Sequence, residues 1–175
     1  MSIYRQSHAL VLKRRALPNQ DAMIFLFTRE YGKVVAIARG IKKLTSRRNP
    51  HLETGNYVDV LLSTRGEYSH IQETSLISGF SQLKSTQPLQ DVVFAYLFCL
   101  DRLLPQEQAE PDLFERTLKF LTQVHKNPDN AHSILTIYVR LVLDQLGYID
   151  EHTKDAQLLG IFETVTGEKL PLHSI

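Results

Sequence analysis

The apolar residues of this chain change period once, near Gln82–Pro88, from strand-like alternation to the three-or-four spacing of a helix. A pattern of one period does not settle as the other element, so a β part must precede an α part. Candidate strands are His8–Lys13, Met23–Thr28, Lys33–Arg39, Tyr57–Ser63 and Tyr68–Glu73, rich in residues that suit a pleated, half-buried surface. Val58, Val60 and Leu62 alternate with Tyr57, Asp59 and Leu61, which gives that strand one wholly apolar face. Tyr31-Gly32 and Arg65-Gly66-Glu67 supply turns in which glycine takes positive φ, and Pro18-Asn19-Gln20-Asp21 is a further break.

Five strands this short leave few architectures, and a small, strongly curved OB-like barrel is the expected one. In the second half a helical stripe runs from Leu89 through Val92, Val93, Tyr96, Leu97, Leu100, Leu103 and Leu104, with Pro88 in the first turn and Pro105 as the stop. Pro111 opens a second helix on Phe114, Leu118, Leu121 and Val124. Asn130 is the expected N-cap of a third, Ile134–Leu146, closed by Gly147. Being apolar nearly all round, this third helix is expected to be the most buried. Leu158–Val165 fits helix or strand. The fold class is therefore α+β, with a five-stranded OB-like barrel over residues 1–82 and a helical domain over 83–175.

Charge divides at the same place. Residues 1–85 hold 13 of the 20 Lys and Arg and 6 of the 19 Asp and Glu, a net +7, and the remainder carries −6. Such asymmetry points to a polyanion-binding module beside a different unit. The densest cluster, Arg39-Gly40-Ile41-Lys42-Lys43-Leu44-Thr45-Ser46-Arg47-Arg48, follows the third strand, where a loop can lay cations along a phosphate backbone. Lys13-Arg14-Arg15 ends the first strand, and Lys33 lies just past the Tyr31-Gly32 turn. DNA-contact candidates are thus Lys13, Arg14, Arg15, Lys33, Arg39, Lys42, Lys43, Arg47 and Arg48. Tyr57 and Tyr68, at strand edges, are candidates for base stacking. Met23, Phe25 and Phe27 share a face and are expected to form a core stripe.

Catalytic constellations do not stand out. The chain has no phosphate loop ending in Lys-Ser/Thr, no G-x-S-x-G elbow and no H-E-x-x-H pair. One cysteine, Cys99, precludes an internal disulfide or a Cys-based zinc site, and it reads as a small core side chain. His125, His132 and Asp150-Glu151-His152 read as solvated surface. No apolar run reaches the roughly 20 residues of a membrane span. No signal peptide opens the chain, so a reducing cytoplasm is the expected compartment.

Phe27-Thr28-Arg29-Glu30-Tyr31-Gly32-Lys33-Val34-Val35-Ala36-Ile37-Ala38-Arg39-Gly40 resembles the second and third strands of the RecO family of bacterial recombination mediators. Leu10–Arg15 and Asp21–Ile24 resemble its opening strand and following turn, Leu100–Pro105 the end of its first helix, and Leu113-Phe114 the start of the next. The resemblance implies an OB-fold, binding of single- and double-stranded DNA, annealing of complementary strands, and action with RecR to load RecA onto DNA coated by single-strand-binding protein. It implies DNA contact through Lys33, Arg39, Lys42, Lys43, Arg47 and Arg48. Many relatives carry a four-cysteine zinc element after the third helix. Here Gly147-Tyr148-Ile149-Asp150-Glu151-His152 has no cysteine, so the chain resembles a short form for which no zinc or other cofactor is expected. The acidic, aromatic C-terminal tail of single-strand-binding protein would need cations on the helices, where Arg102, Arg116, Lys119 and Arg140 are the main ones.

The leading expectation is a non-enzymatic DNA-binding protein of recombinational repair. An OB-type RNA-binding module with a helical adaptor, a pure interaction adaptor, and a nuclease or hydrolase are the alternatives. The last lacks a metal or nucleophile constellation.

Overall fold

A computed structural model describes residues 3–41, 48–66 and 68–171. Two compact units are present: Met1–Phe80 together with Leu104–Pro111, and Ser81–Leu103 together with Asp112–Ile175. The return of Leu104–Pro111 to the first unit has no signal in the sequence pattern.

The first unit is a closed barrel of β1 (Ile3–Ala16), β2 (Ala22–Thr28), β3 (Gly32–Ala38), β4 (Tyr57–Arg65) and β5 (Tyr68–Ser78), ordered β1-β2-β3-β5-β4. β1 closes the ring by pairing with β2 through its C-terminal part and with β4 through its N-terminal part. All pairs are antiparallel except β3 with β5. This is the five-stranded OB-fold. The interior holds Ala9, Val11, Ile24, Leu26, Val34, Ala36, Val58, Val60, Leu62 and Ile71, with Ile41 and Leu52 from the β3–β4 connection. Strict alternation would put Lys13 on the same inward face as Ala9 and Val11. A β-bulge between Val11 and Lys13 shifts the register, so Lys13 pairs with Phe25 and turns outward.

Gly32 begins β3 with φ +69°. A Cβ there would lie 1.8 Å from the carbonyl oxygen of Gln108, so only glycine lets Leu104–Pro111 run alongside β3. The Glu107 N–H donates to the Lys33 carbonyl at 2.9 Å, which ties that segment down.

The second unit contains α1 (Gln87–Leu103), α2 (Pro111–Lys126), α3 (Ala131–Gln145) and α4 (Leu158–Thr166). The most buried helix is α1 and not, as expected, α3. α1 buries nine of its 17 residues and α3 five of its 15, so α1 is the central helix. The reason is placement: α1 has neighbours on two sides. The fully buried Tyr96 ring lies 4.0 Å from Phe120 of α2 and 6.3 Å from Tyr138 of α3, between ring centroids. The all-round apolar character of α3 leaves Ile137 56% exposed. Thr117 Oγ donates to the Leu113 carbonyl and shares a 3.3 Å hydrogen bond with the Tyr96 hydroxyl, whose pKa burial raises. Asn130 stands at the N-cap of α3 without a side-chain cap bond. Gly147 ends that helix at φ +78°, with Gly147 N–H to Asp144 O and Tyr148 N–H to Leu143 O forming a Schellman pair.

Candidate nucleic-acid interface

Residues directly opposite each other across strands share a face. The pairs Arg15–Met23, Met23–Ile37, Ile37–His70, His70–Ser63 and Ser63–Tyr4 therefore form one row on the outside of the barrel, crossing all five strands. Arg15 and Tyr4 are exposed at its ends, and Met23, Ile37 and His70 are half-buried between them. Beside the row, the Lys13 ammonium lies 5.0 Å from the centroid of the Phe25 ring. Met23 and Phe25 thus lie on the outer face. The expected core stripe has the right period and the wrong face, because Ala22, Ile24 and Leu26 fill the interior. Phe27 shares the outward parity but is fully buried.

Where the row crosses β5 and β4 to reach β1, beside the end of β3, the surface is hollowed into a groove of about 310 Å³, lined by Tyr4, Arg39, Arg48, Ser63, Arg65, His70, Ile71 and Gln72. Arg39 is exposed just past the end of β3, and Arg65 is exposed at the β4–β5 turn. Gln72 Nε2 donates to Ser63 Oγ at 2.7 Å and fixes the floor. Burial and the Arg39 charge lower the His70 pKa, so its ring is neutral near pH 7. The opposite end of the β4–β5 face is acidic: a shallow hollow there is lined by Gln6, Asp59, Leu61 and Glu73. A polyanion on this wall is driven toward the arginine end.

The remaining cations expected at the interface do not share one fate. Arg15 and Lys13 lie on the outer face, whereas Arg14 pairs with the core residue Ile24 and takes the other side of β1. Lys33 is 9% exposed, beside the returning Leu104–Pro111 segment, and is not brought to the row. Arg48 is half-buried and donates to backbone carbonyls: Nη1 to Ile71 at 2.8 Å and Gln72 at 3.3 Å, Nη2 to Arg39 at 2.9 Å. Lys42, Lys43 and Arg47 lie outside the described residues, as does the Tyr68 side chain. Tyr57 is at the far end of β4 from Arg65, roughly 26 Å along an extended strand. Its hydroxyl meets His8 Nδ1 at 3.2 Å. Among the described residues, Tyr4 is the tyrosine at the groove; the sequence pattern does not point to it, nor to Arg65 and His70. The Arg65-Gly66 turn was the available signal for the second of these.

On the helices, Arg102 bonds Asp101 at 3.2 Å and Glu168 at 3.0 Å and lies over the Phe98 ring. Arg140 donates to the Thr153 carbonyl at 2.6 Å and to Asp155 at 2.9 Å. Arg116 and Lys119 are exposed on α2. Cys99 is fully buried, and burial pushes its thiol up to about 12, which leaves no thiolate for chemistry near neutral pH. Among the described residues, no three His, Cys, Asp or Glu side chains cluster as a metal site, and no helix is long and apolar enough to cross a membrane.

By fold and site, this is an OB barrel with cations on one outer wall, followed in the chain by a helical unit. Residues 1–80 match the family model described as the N terminus of recombination protein O. The DNA repair protein RecO of Desulfitobacterium hafniense strain DSM 10664 / DCB-2 is 28% identical over 148 residues, 85% of this chain and 53% of that protein. The protein of the same name from Clostridium novyi strain NT is 31% identical over 121 residues, 68% of this chain and 46% of that one. The barrel, residues 1–80, belongs to the RecO N-terminal family, and the similarity to RecO proteins continues into the helical unit. It spans about half the length of the curated relatives it matches.

Proposed function

We propose that this chain is a non-enzymatic DNA-binding protein of recombinational repair. On this reading the barrel binds single- and double-stranded DNA and supports annealing of complementary strands. With RecR the protein assists RecA loading onto DNA coated by single-strand-binding protein. The observation that carries the DNA reading is the outer wall of the barrel, where half-buried Met23, Phe25 and Ile37 lie on a face that also bears Lys13, Arg15, Arg39 and Arg65. Apolar surface for bases beside cations for phosphates is the combination that single-strand binding requires. The relatives' name, DNA repair protein, supports the biological setting.

Lys42, Lys43 and Arg47 extend this basic surface on the same reading. Arg48 contributes to it by holding backbone. For the tail of single-strand-binding protein, Arg116 and Lys119 are the cations with exposed charge, whereas Arg102 and Arg140 are engaged within their own unit. The test is an isotherm with single-stranded DNA at several salt concentrations. Each phosphate neutralised on a single strand contributes roughly −0.7 to the slope of log K against log salt. Replacing Lys42, Lys43 and Arg47 with alanine should flatten that slope by about 2.1. Salt-independent binding by the parent, or none, refutes the reading. Competition by single-stranded RNA of equal length that matches DNA would favour an RNA-binding module.

A further inference from the structure

The usual oligonucleotide face of an OB barrel is strands 2 and 3 with the loops joining strands 1–2 and 4–5. The groove extends beyond that face, over β5 and β4 to the N-terminal end of β1. We propose that it seats one nucleotide of a single strand, with its flanking phosphates on Arg39 and Arg65 and its base on Tyr4. This rests on the DNA reading given above and assigns the seat and the residues that build it.

The register places the parts. His70 is directly across from Ile37 on β3 and from Ser63 on β4, and Tyr4 is directly across from Ser63 on β1. Arg39 lies two residues beyond Ile37, and Arg65 two residues beyond Ser63. β3 and β5 run parallel whereas β4 and β5 run antiparallel, so these two steps go in opposite directions. The arginines therefore stand at opposite ends of the groove with His70 between them. Two long cationic side chains at the ends of a short groove fit two successive phosphates of one strand better than a single anion. Tyr4, 64% exposed at the lip, offers a ring in water, the requirement for stacking on an unpaired base. A paired base keeps its faces stacked within the duplex and is closed to this contact. His70 Nδ1 is buried without a hydrogen-bond partner, which leaves Nε2 as the ring nitrogen able to meet the strand. Arg48 is a positioning residue: its bonds to the carbonyls of Arg39, Ile71 and Gln72 hold the wall and floor of the groove together.

The experiment uses the full chain with labelled oligo(dT) and with a duplex of equal length. Tyr4→Ala should weaken single-strand binding roughly 5- to 150-fold with the salt slope unchanged, and leave duplex binding alone. Tyr4→Phe should restore the parental affinity. Arg39→Ala with Arg65→Ala should flatten the single-strand slope by about 1.4. Melting temperatures should match the parent, because all three side chains are exposed. Parental single-strand affinity in Tyr4→Ala, or equal loss on duplex and single strand, overturns the seat while the DNA reading stands. A parent that fails to bind single-stranded DNA at low salt overturns both.

Discussion

Arg48 belongs to the most basic stretch of the chain, yet its guanidinium is committed to the protein's own backbone. Replacing it with alanine removes one part-buried bond, to Ile71, and two exposed ones, to Arg39 and, at a longer distance, to Gln72. A hydrogen bond with one charged partner contributes about 1.5–3 kcal/mol. Water can reach the Arg39 and Gln72 carbonyls, so the part-buried bond to Ile71 carries most of the net loss, about 2–3 kcal/mol. For a barrel of this size each kcal/mol is roughly 4–8 °C in Tm, so the transition should fall by about 10–20 °C. Arg48→Lys should recover little, because an ammonium lacks the planar fork that serves several carbonyls at once. Thermal unfolding followed by circular dichroism, with single-strand isotherms well below the lowered transition, separates structural from ligand roles. The reasoning is refuted if Arg48→Ala melts within about 2 °C of the parent while its salt slope flattens by roughly 0.7, the signature of an exposed phosphate contact.

Three further outcomes follow from packing. Gly32→Ala should lower Tm sharply and speed hydrogen exchange at Glu107 N–H, since a Cβ collides with the Gln108 backbone. Parental exchange there would show that the segment tolerates displacement. Val139→Asp places an unpaired charge at a 3% exposed site of α3, and the penalty of several kcal/mol should unfold the helical unit. A near-parental transition would contradict the packing of α3. Cys99, with its thiol pushed up to about 12, should resist thiol reagents at pH 8 in the folded protein and react promptly in denaturant. Fast labelling of the native chain would contradict its burial.

The barrel is legible in the sequence because its five strands carry alternating or clustered apolar residues, and the helices because their stripes are bounded by prolines. The N-terminal stretch of β1 is not legible. Ile3–Ser7 has no apolar alternation and gains its strand conformation from pairing with β4, far away in sequence. Tyr4 was missed for that reason. The same limit applies to faces: the β-bulge beside Leu12 reverses which side Lys13 and Arg15 take. For Arg48 the sequence shows a cation, but Ile71, its carbonyl partner, lies 23 residues away and is fixed only when β5 docks beside β3. In α3 the apolar composition suggests burial on all sides, and tertiary neighbours cover only part of it.

The central claim, that the outer wall of the barrel is the DNA surface, is tested most directly by one paired comparison of salt slopes. Arg15, Arg39 and Arg65 are replaced with alanine in one variant, and Arg116, Lys119 and Lys126 of the helical unit in the other, so that both lose the same charge. The barrel variant should flatten the single-strand slope by about 2.1, and the helical variant should leave it at the parental value. Equal slopes in the two variants would mean that net charge alone attracts the strand, and would contradict the assignment of the barrel wall.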